Sequence, residues 1–481
     1  MFKILAICGL VLYFFGLLFV VSREKKSSDT LDFFFAGRKL PFWMLSVAFI
    51  ASWWGAGSTL STADLAFEDG LGAFWYYGVP VLLATALMGL GAARIRRVGY
   101  LTQGQMMEAR YGRSTAKLLS VMIFIFMVMN AATQMVGVGS FFGSYLGLPY
   151  ELAVLIGTVL VILYSTIGGF RSVVLTDLIQ FVCLLLSTLV VCGVAIHCAG
   201  GLQPIAQRAA EIGKPDFMSF TAGIPKYMMY VVTFGCSWFI QANIWQLISA
   251  SRDAGEARKM TGLSFLAYIP LYLLVVAAGM AGIVLYDSLP QGGIVAAVVL
   301  EHMPPALGAL VFIGITAAIM STMDTLLNSA SLTLTLDLRR KGTSAAADLR
   351  FSRYATLIAS GLAILIALKI RSILELTWIA SDVITTGVFV PLCGAFLWRR
   401  GNTRGANASM AFGLVFCAYN LALTLGLPLP ALWDPHSTVK IVVGVGLSLA
   451  IYVAVSLLTP AEYGKADTFL RLAAKGEPKE P

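Results

Sequence analysis

Charge is what this sequence has least of. Lys, Arg, Asp and Glu make up 12% of its 481 residues, against about 25% in an average soluble domain. So few charges cannot clothe a water-facing surface, which excludes a soluble globular domain. Histidine is nearly missing as well: His197, His302 and His436 are scattered, and no HExxH run occurs. A membrane enzyme would need a metal site or a nucleophile–base pair, and three dispersed histidines supply neither. The seven cysteines (8, 183, 192, 198, 236, 393 and 417) lie mostly in apolar segments without a CxxC pair. They read as small buried hydrophobes, not metal ligands or disulfide partners. The net charge of +9 does not indicate nucleic acid, because the basic residues sit in short loops, as topology signals do. No loop is long enough for an attached soluble domain, and no obligate protein partner is evident.

What the chain does have is hydrocarbon. Hydrophobic residues make up 58% of it, and its apolar runs repeatedly exceed the roughly 18 residues that cross a bilayer core. The expected fold is an all-α polytopic membrane protein, one helical bundle in the lipid bilayer using the whole chain. Thirteen spans are expected near 2–21, 40–65, 70–93, 115–145, 150–170, 172–198, 223–250, 260–286, 305–337, 354–370, 373–398, 405–427 and 438–458. The basic cluster after the first run marks it as a retained helix, because a cleaved signal carries its charge ahead of the apolar stretch. Of the 34 Lys and Arg, only Lys3, Arg208, Lys214, Lys226, Lys369, Arg371 and Lys440 fall on the poorer side of this arrangement. The richer side is cytoplasmic, so the N-terminus is expected outside and the C-terminus inside.

Two spans look interrupted. The centre of 40–65 reads ASWWGAGSTLSTAD, and that of 223–250 reads TFGCSWFIQANIWQ. A helix unwinds in hydrocarbon only where it lines a cavity or is buried in protein, and paired interruptions point to a transporter site. The alternative is that the glycines permit close helix packing.

Three acidic residues, Asp177, Asp324 and Asp382, fall in or at the edges of spans with no Lys or Arg evident at their depth. Placing a carboxylate there costs at least ~2.5 kcal/mol. It must take a proton or meet a cation. The run AAIMSTMDTLLNSAS (317–331) offers hydroxyls beside Asp324. Ala318, Ser321, Thr322 and Thr325 share a helical face, and hard cations such as sodium prefer oxygen ligands. The competing reading has these hydroxyls bonded back to their own helix. Aromatic residues crowd the interruptions, among them Trp53, Trp54, Trp75, Tyr76, Trp238 and Trp245. Around a cavity they could hold an organic cation through cation–π attraction.

GGFRSVVLTDLIQ (168–180) and the 317–331 run together resemble the signatures of the sodium:solute symporter family, over nearly the whole chain. The resemblance implies a leucine-transporter-like fold. Residues 1–25 would form an extra N-terminal helix, 40–198 and 223–398 two inverted five-helix repeats, 405–459 two C-terminal helices, and 460–481 a cytoplasmic tail without a kinase. It also implies sodium, bound by carbonyls of Ala51, Trp54 and Ala318 with the hydroxyls of Ser321 and Thr322. A second sodium would lie near Asp177, Ser321, Asp324 and Thr325.

Within the family, ASWWGAG (51–57), ASD (380–382) and RGNTRGA (400–406) resemble segments of high-affinity choline transporters. A tryptophan of theirs matches Trp53, whereas the position of another falls on Ile240. The expected function is sodium-coupled import of a small organic solute, choline- or betaine-like, with neutral and carboxylate solutes as the alternative and a channel or membrane sensor as the rival class. The expected solute residues are Trp53, Trp75, Tyr76, Gln134, Trp238, Gln241 and Asp382. The expected location is the plasma membrane, or the inner membrane in a bacterium.

Overall fold

A computed structural model describes residues 1–23, 30–339, 345–424, 427–430, 432–434 and 437–476. Lys25, Lys26, Arg340, Lys341, His436 and Lys479, used in the charge and histidine readings, lie outside the described residues. The described structure is helical. Its first half comprises α1 (Phe2–Arg23), α2 (Thr30–Phe35), α3 (Phe42–Trp53), α4 (Thr62–Asp69), α5 (Phe74–Val98), α6 (Gln103–Tyr111), α7 (Arg113–Leu146), α8 (Tyr150–Cys198) and α9 (Leu202–Glu211). There follow α10 (Gly223–Phe239), α11 (Ala242–Ala250), α12 (Ala254–Leu285), α13 (Ile294–His302), α14 (Pro305–Thr333) and α15 (Ala345–Lys369). The chain ends with α16 (Ile373–Gly387), α17 (Phe389–Leu397), α18 (Thr403–Thr424), α19 (Thr438–Leu458) and α20 (Tyr463–Lys475). Among the described residues, nine helices are long and apolar enough to cross a membrane, or ten when α16 and α17, bent by 41°, count as one.

Helices form here because a bilayer leaves backbone polar groups no partner outside the segment. The outermost ones turn large apolar side chains outward: Ile4, Leu12, Phe15 and Phe19 of α1 are more than half exposed. In water such a stripe would be a liability, whereas against lipid tails it is the contact surface. Where helices reach the polar loops they are capped. Asp253 accepts from Gly255 N at 2.7 Å and Glu256 N at 2.9 Å, and Ser372 accepts from Glu375 N at 3.2 Å. These bonds satisfy donors that a helix start leaves free.

The centre of the bundle is α14. Every residue from Gly314 to Thr333 is buried, so its hydroxyls and Asp324 face other helices, not lipid. Both expected interruptions are present. The first lies between α3 and α4: Trp54 leaves the helix at φ −93°, ψ 58°, and residues 57–61 form a wide π turn before α4 begins. The second falls at Ile240–Gln241, between α10 and α11. The spans expected at 150–170 and 172–198 are the two limbs of α8, hinged at Gly169 (φ 64°, ψ −169°). A Cβ there would lie 2.8 Å from the Phe33 carbonyl oxygen, so only glycine fits.

Two expectations need correction. Asp382 is not without a basic partner: Lys440 Nζ lies 3.0 Å from its Oδ2, with the two side chains 1% and 7% exposed. Lys440 sits in the first turn of α19, where its stem follows apolar surface and its charge meets the carboxylate. Arg110, counted as a loop charge, is fully buried. Its guanidinium donates to the carbonyls of Ala395, Trp398 and Gly401 at 3.3, 3.0 and 3.0 Å, closing the end of α17, where cations are favoured. Within the expected tail, residues 463–475 form an amphipathic helix, α20, docked through Phe469 against Phe396, with ring centres 5.1 Å apart.

Candidate cation and solute site

The first break supplies backbone oxygen. As α3 ends, its last carbonyls lose their helical donors, and the Ala51 oxygen receives Trp54 N at 3.2 Å. The Thr322 hydroxyl of α14 donates to the same Ala51 oxygen at 3.2 Å and to the Ala318 carbonyl at 3.3 Å. Ala51, Trp54 and Ser321 are fully buried. Residues 267 positions apart in sequence, Ala51 and Ala318, thus turn carbonyls to one hydroxyl. The break's amide side is held as well: Gln134 Oε1 accepts from Ala56 N at 2.9 Å. A Cβ on Gly55 would lie 2.2 Å from that oxygen and 3.0 Å from Thr322 Oγ1, so glycine is what allows α7 and α14 to close on the break. Gln134, expected as a solute ligand, has its amide oxygen committed to the backbone.

Behind this set lies a second cluster. The Ser321 hydroxyl donates to Asp177 Oδ1 of α8. Asp177 and Asp324 are both fully buried, and Tyr164 is a close neighbour of Asp324. Asp177 Oδ2 and both Asp324 oxygens have no hydrogen-bond partner among the described residues. Thr325 does not join them. Its hydroxyl donates to the Ser321 and Thr322 carbonyls at 3.1 and 3.0 Å, so for this residue bonding back to the helix prevails.

The solute residues divide. Trp53 of α3 and Trp238 of α10 meet at 6.1 Å between ring centres. Trp53 also meets Phe49 at 5.0 Å and stacks on Tyr268 at 6.2 Å. Trp238 stacks on Phe234 at 4.9 Å and lies 4.8 Å from Tyr77. Trp75 points elsewhere, whereas Tyr76 borders the cluster, its ring 4.9 Å from Tyr77 and 6.2 Å from Phe234. Trp75 Nε1 donates to the Phe220 carbonyl at 2.9 Å, and Tyr76 packs among Tyr77, Tyr227 and Tyr230. Tyr77 is therefore the member of that run that reaches the tryptophans, with Phe49, Phe234 and Tyr268 added from elements whose aromatics gave no distinguishing signal. Gln241 is at the second break with its amide oxygen buried and unpartnered, and so are both polar atoms of Asn243. Asp382 and Trp378 lie on the face of α16 toward Lys440, whose Nζ is 4.6 Å from the Trp378 ring centre.

The two ends of the bundle differ. At one, a cleft of about 840 Å³ opens beside Ser61, Asp64, Ser140, Ser144 and Arg371. At the other, side chains tie the helices together. Gln103 Nε2 donates to the Ile240 carbonyl at 2.7 Å, and Gln246 Nε2 to Phe34 O at 2.7 Å and Asn328 Oδ1 at 3.0 Å. Arg38 donates to Ser249 O at 3.0 Å and Gly99 O at 2.9 Å.

Broken helices meeting over buried oxygen donors and an aromatic cluster define a secondary transporter. The model of the sodium:solute symporter family matches residues 33–413, and the chain belongs to that family. It carries out sodium-coupled symport of a small solute. The sodium/pantothenate symporter of Escherichia coli (strain K12) is 26% identical over 447 residues, covering 88% of this chain and 91% of that protein. The sodium/glucose cotransporter of Vibrio parahaemolyticus is 23% identical over 451 residues, covering 85% and 83%. High-affinity choline transporter 1 of Caenorhabditis elegans is 25% identical over 448 residues, covering 84% and 76%. Choline transporters are thus not singled out among these relatives. The fold is that of a Na+-coupled sialic acid symporter solved in a substrate-bound outward-open state, with a TM-score of 0.78 at 18% identity, covering 96% of this chain and 98% of that one. A nucleobase-cation-symport-1 family transporter, closed around bromovinylhydantoin, superposes with a TM-score of 0.60 at 12% identity, covering 91% and 97%.

Proposed function

We propose that sodium binds where the carbonyls of Ala51, Trp54 and Ala318 meet the hydroxyls of Ser321 and Thr322, and that it drives a solute held against Trp53 and Trp238. The observation that carries this reading is the Thr322 hydroxyl, 3.2 Å from the Ala51 carbonyl across the break. An ion there joins α3 to α14 and favours the state whose cleft is open. Asp177 and Asp324, bridged to the first site by Ser321, are the proposed ligands of a second sodium. Thr325 is left out of that set, because its hydroxyl bonds its own helix. Gln241 and Asn243 supply polar contacts to the solute, and Trp75, Tyr76 and Asp382 are not needed.

The arrangement is thirteen spans with two inverted repeats (40–198 and 223–398), the N-terminus outside, the C-terminus inside, and a plasma or bacterial inner membrane as its location. The tied end then faces the cytoplasm, and rocking of one repeat group against the other exposes both cargoes there. The membrane potential contributes about 2.3 kcal/mol per charge per 100 mV, and coupling is reciprocal, so the solute tightens sodium.

Five uncharged aromatic rings, Trp53, Tyr77, Phe234, Trp238 and Tyr268, favour a choline- or betaine-like cation or zwitterion through cation–π attraction. The free amides of Gln241 and Asn243 favour a second reading, a neutral or carboxylate solute rich in hydrogen-bonding groups. Uptake into proteoliposomes under a sodium gradient, tested with choline, betaine, glucose and pantothenate, separates the two. Ser321→Ala and Thr322→Ala are each expected to raise the sodium concentration for half-maximal uptake at least tenfold, the scale of a lost polar contact to a charge. Unchanged sodium dependence in both removes the site. Trp53→Ala is expected to abolish uptake of a quaternary ammonium while leaving sodium binding intact, and failure of the native chain to bind any such compound rejects the first reading.

A further inference from the structure

Gln180 closes the 168–180 signature, and α1 stands outside both repeat groups; neither has a part in the symport scheme above. The structure brings them together. Gln180 Nε2 donates to the Tyr13 hydroxyl of α1 at 2.8 Å. Gln180 is fully buried, and its amide oxygen has no hydrogen-bond partner among the described residues. One helical turn earlier on α8 is Asp177, whose Oδ2 is likewise unpartnered, as are both oxygens of Asp324. The Tyr164 hydroxyl lies within hydrogen-bonding reach of Gln180 and Asp324, and Tyr13 lies close enough to Asp177 and Asp324 to feel their charge. Among the described residues no Lys, Arg or His pairs with either carboxylate.

Two carboxylates and an amide oxygen, all out of water and with no basic partner, make a costly arrangement for a protein alone. A hard cation satisfies such a set. Beside two carboxylates, a free amide would turn its NH₂ toward them. Tyr13 instead holds that NH₂, which leaves the oxygen as the end available to a cation.

The geometry points to Gln180 Oε1 as a further ligand of the second sodium, with Tyr13 of α1 as the positioning residue that aims it. The inference rests on the second-sodium reading given above for Asp177 and Asp324. It gives α1, which precedes both repeats, a share in ion binding: the helix closes the cluster from outside and fixes one of its ligands.

The test uses the full-length protein in detergent. Binding of radioactive sodium and the sodium-dependent rise in melting temperature are measured against a potassium baseline, for the native chain, Tyr13→Phe, Gln180→Leu and Thr322→Ala. The native chain is expected to bind two sodium ions, and Thr322→Ala to keep the second. Tyr13→Phe weakens the second ion about three- to tenfold, the worth of one hydrogen bond, and Gln180→Leu weakens it at least as much. The potassium baseline of both stays near that of the native chain. Native-like binding of the second sodium by both variants overturns the inference. So does a fall in their potassium baseline with an undiminished sodium response, which marks a packing role only. A native chain that binds a single sodium, lost in Thr322→Ala, rejects the second-sodium reading itself and the inference with it, a result seen without either new variant.

Discussion

Asp382 and Lys440 give the sharpest quantitative test of this structure. Their charged atoms are 3.0 Å apart, with the side chains 7% and 1% exposed. Taking two ions out of water costs several kcal/mol each, and the attraction offsets that only while both remain. Lys440→Met removes the cation and strands a carboxylate whose Oδ1 already lacks a partner; the expected loss is about 3–5 kcal/mol of stability. Asp382→Asn strands the ammonium over the Trp378 ring, and its cost should be similar. The double variant buries no net charge and should recover to within about 1 kcal/mol of the native chain. Unfolding in detergent, arranged as a double-mutant cycle, measures the coupling, and uptake by the double variant in proteoliposomes measures function. A native-like KM in the double variant separates Asp382 from the solute. Additive losses in the two single variants would refute the pairing argument. A stable double variant unable to take up solute would return Asp382 to the solute site.

Two further outcomes follow from geometry at the break and at the tail. Gly55→Ala places a Cβ 2.2 Å from Gln134 Oε1, displacing that oxygen from Ala56 N. The stranded buried donor should cost about 1–3 kcal/mol, with uptake falling as well, and a native melting temperature with native uptake would contradict the contact. In α20, outside the membrane spans, the Arg399 guanidinium holds the Asp467 carboxyl below its ordinary value through two hydrogen bonds at 2.6 and 2.8 Å. A carboxyl depressed on folding stabilises the docked helix above its free value of 3.8. That contribution is lost as pH falls through the lower folded value. The protection of residues 463–475 against hydrogen exchange, relative to their intrinsic rates, should therefore fall only in that acidic window, and Asp467→Asn should remove that fall.

The sequence carried the class of this fold plainly, because a chain this poor in charge can exist only with lipid as its solvent. Both breaks were legible for a related reason: Gly55, Gly57 and their hydroxyl neighbours at the first, and Gly235, Gln241 and Asn243 at the second, weaken a helix in a way hydrocarbon would punish. Other features depended on partners that spacing does not reveal. Tyr76 and Tyr77 are neighbours in sequence yet point about 100° apart on a helix, and only packing shows that Tyr77 meets Trp238. Lys440 read as a loop cation, since nothing local distinguishes a lysine beside lipid headgroups from one folded inward against a carboxylate. Thr325 shared a face with Thr322, but its own backbone offered a nearer acceptor. Gln180 stood in the signature from the start, and its role awaited a tyrosine 167 residues away.

The short helix α6 has a mechanical consequence. Through Gln103 it grips the carbonyl at the second break, and through Arg110 it grips the end of α17 and the turn beyond. It is thus a cross-beam fastened at the end of α10 and at the end of α17 while being threaded in the chain between α5 and α7. Opening the tied end means either snapping the Gln103 fastening or dragging the beam along, and the two routes place the energetic barrier in different hands: one local bond, or the joint displacement of both halves of the bundle.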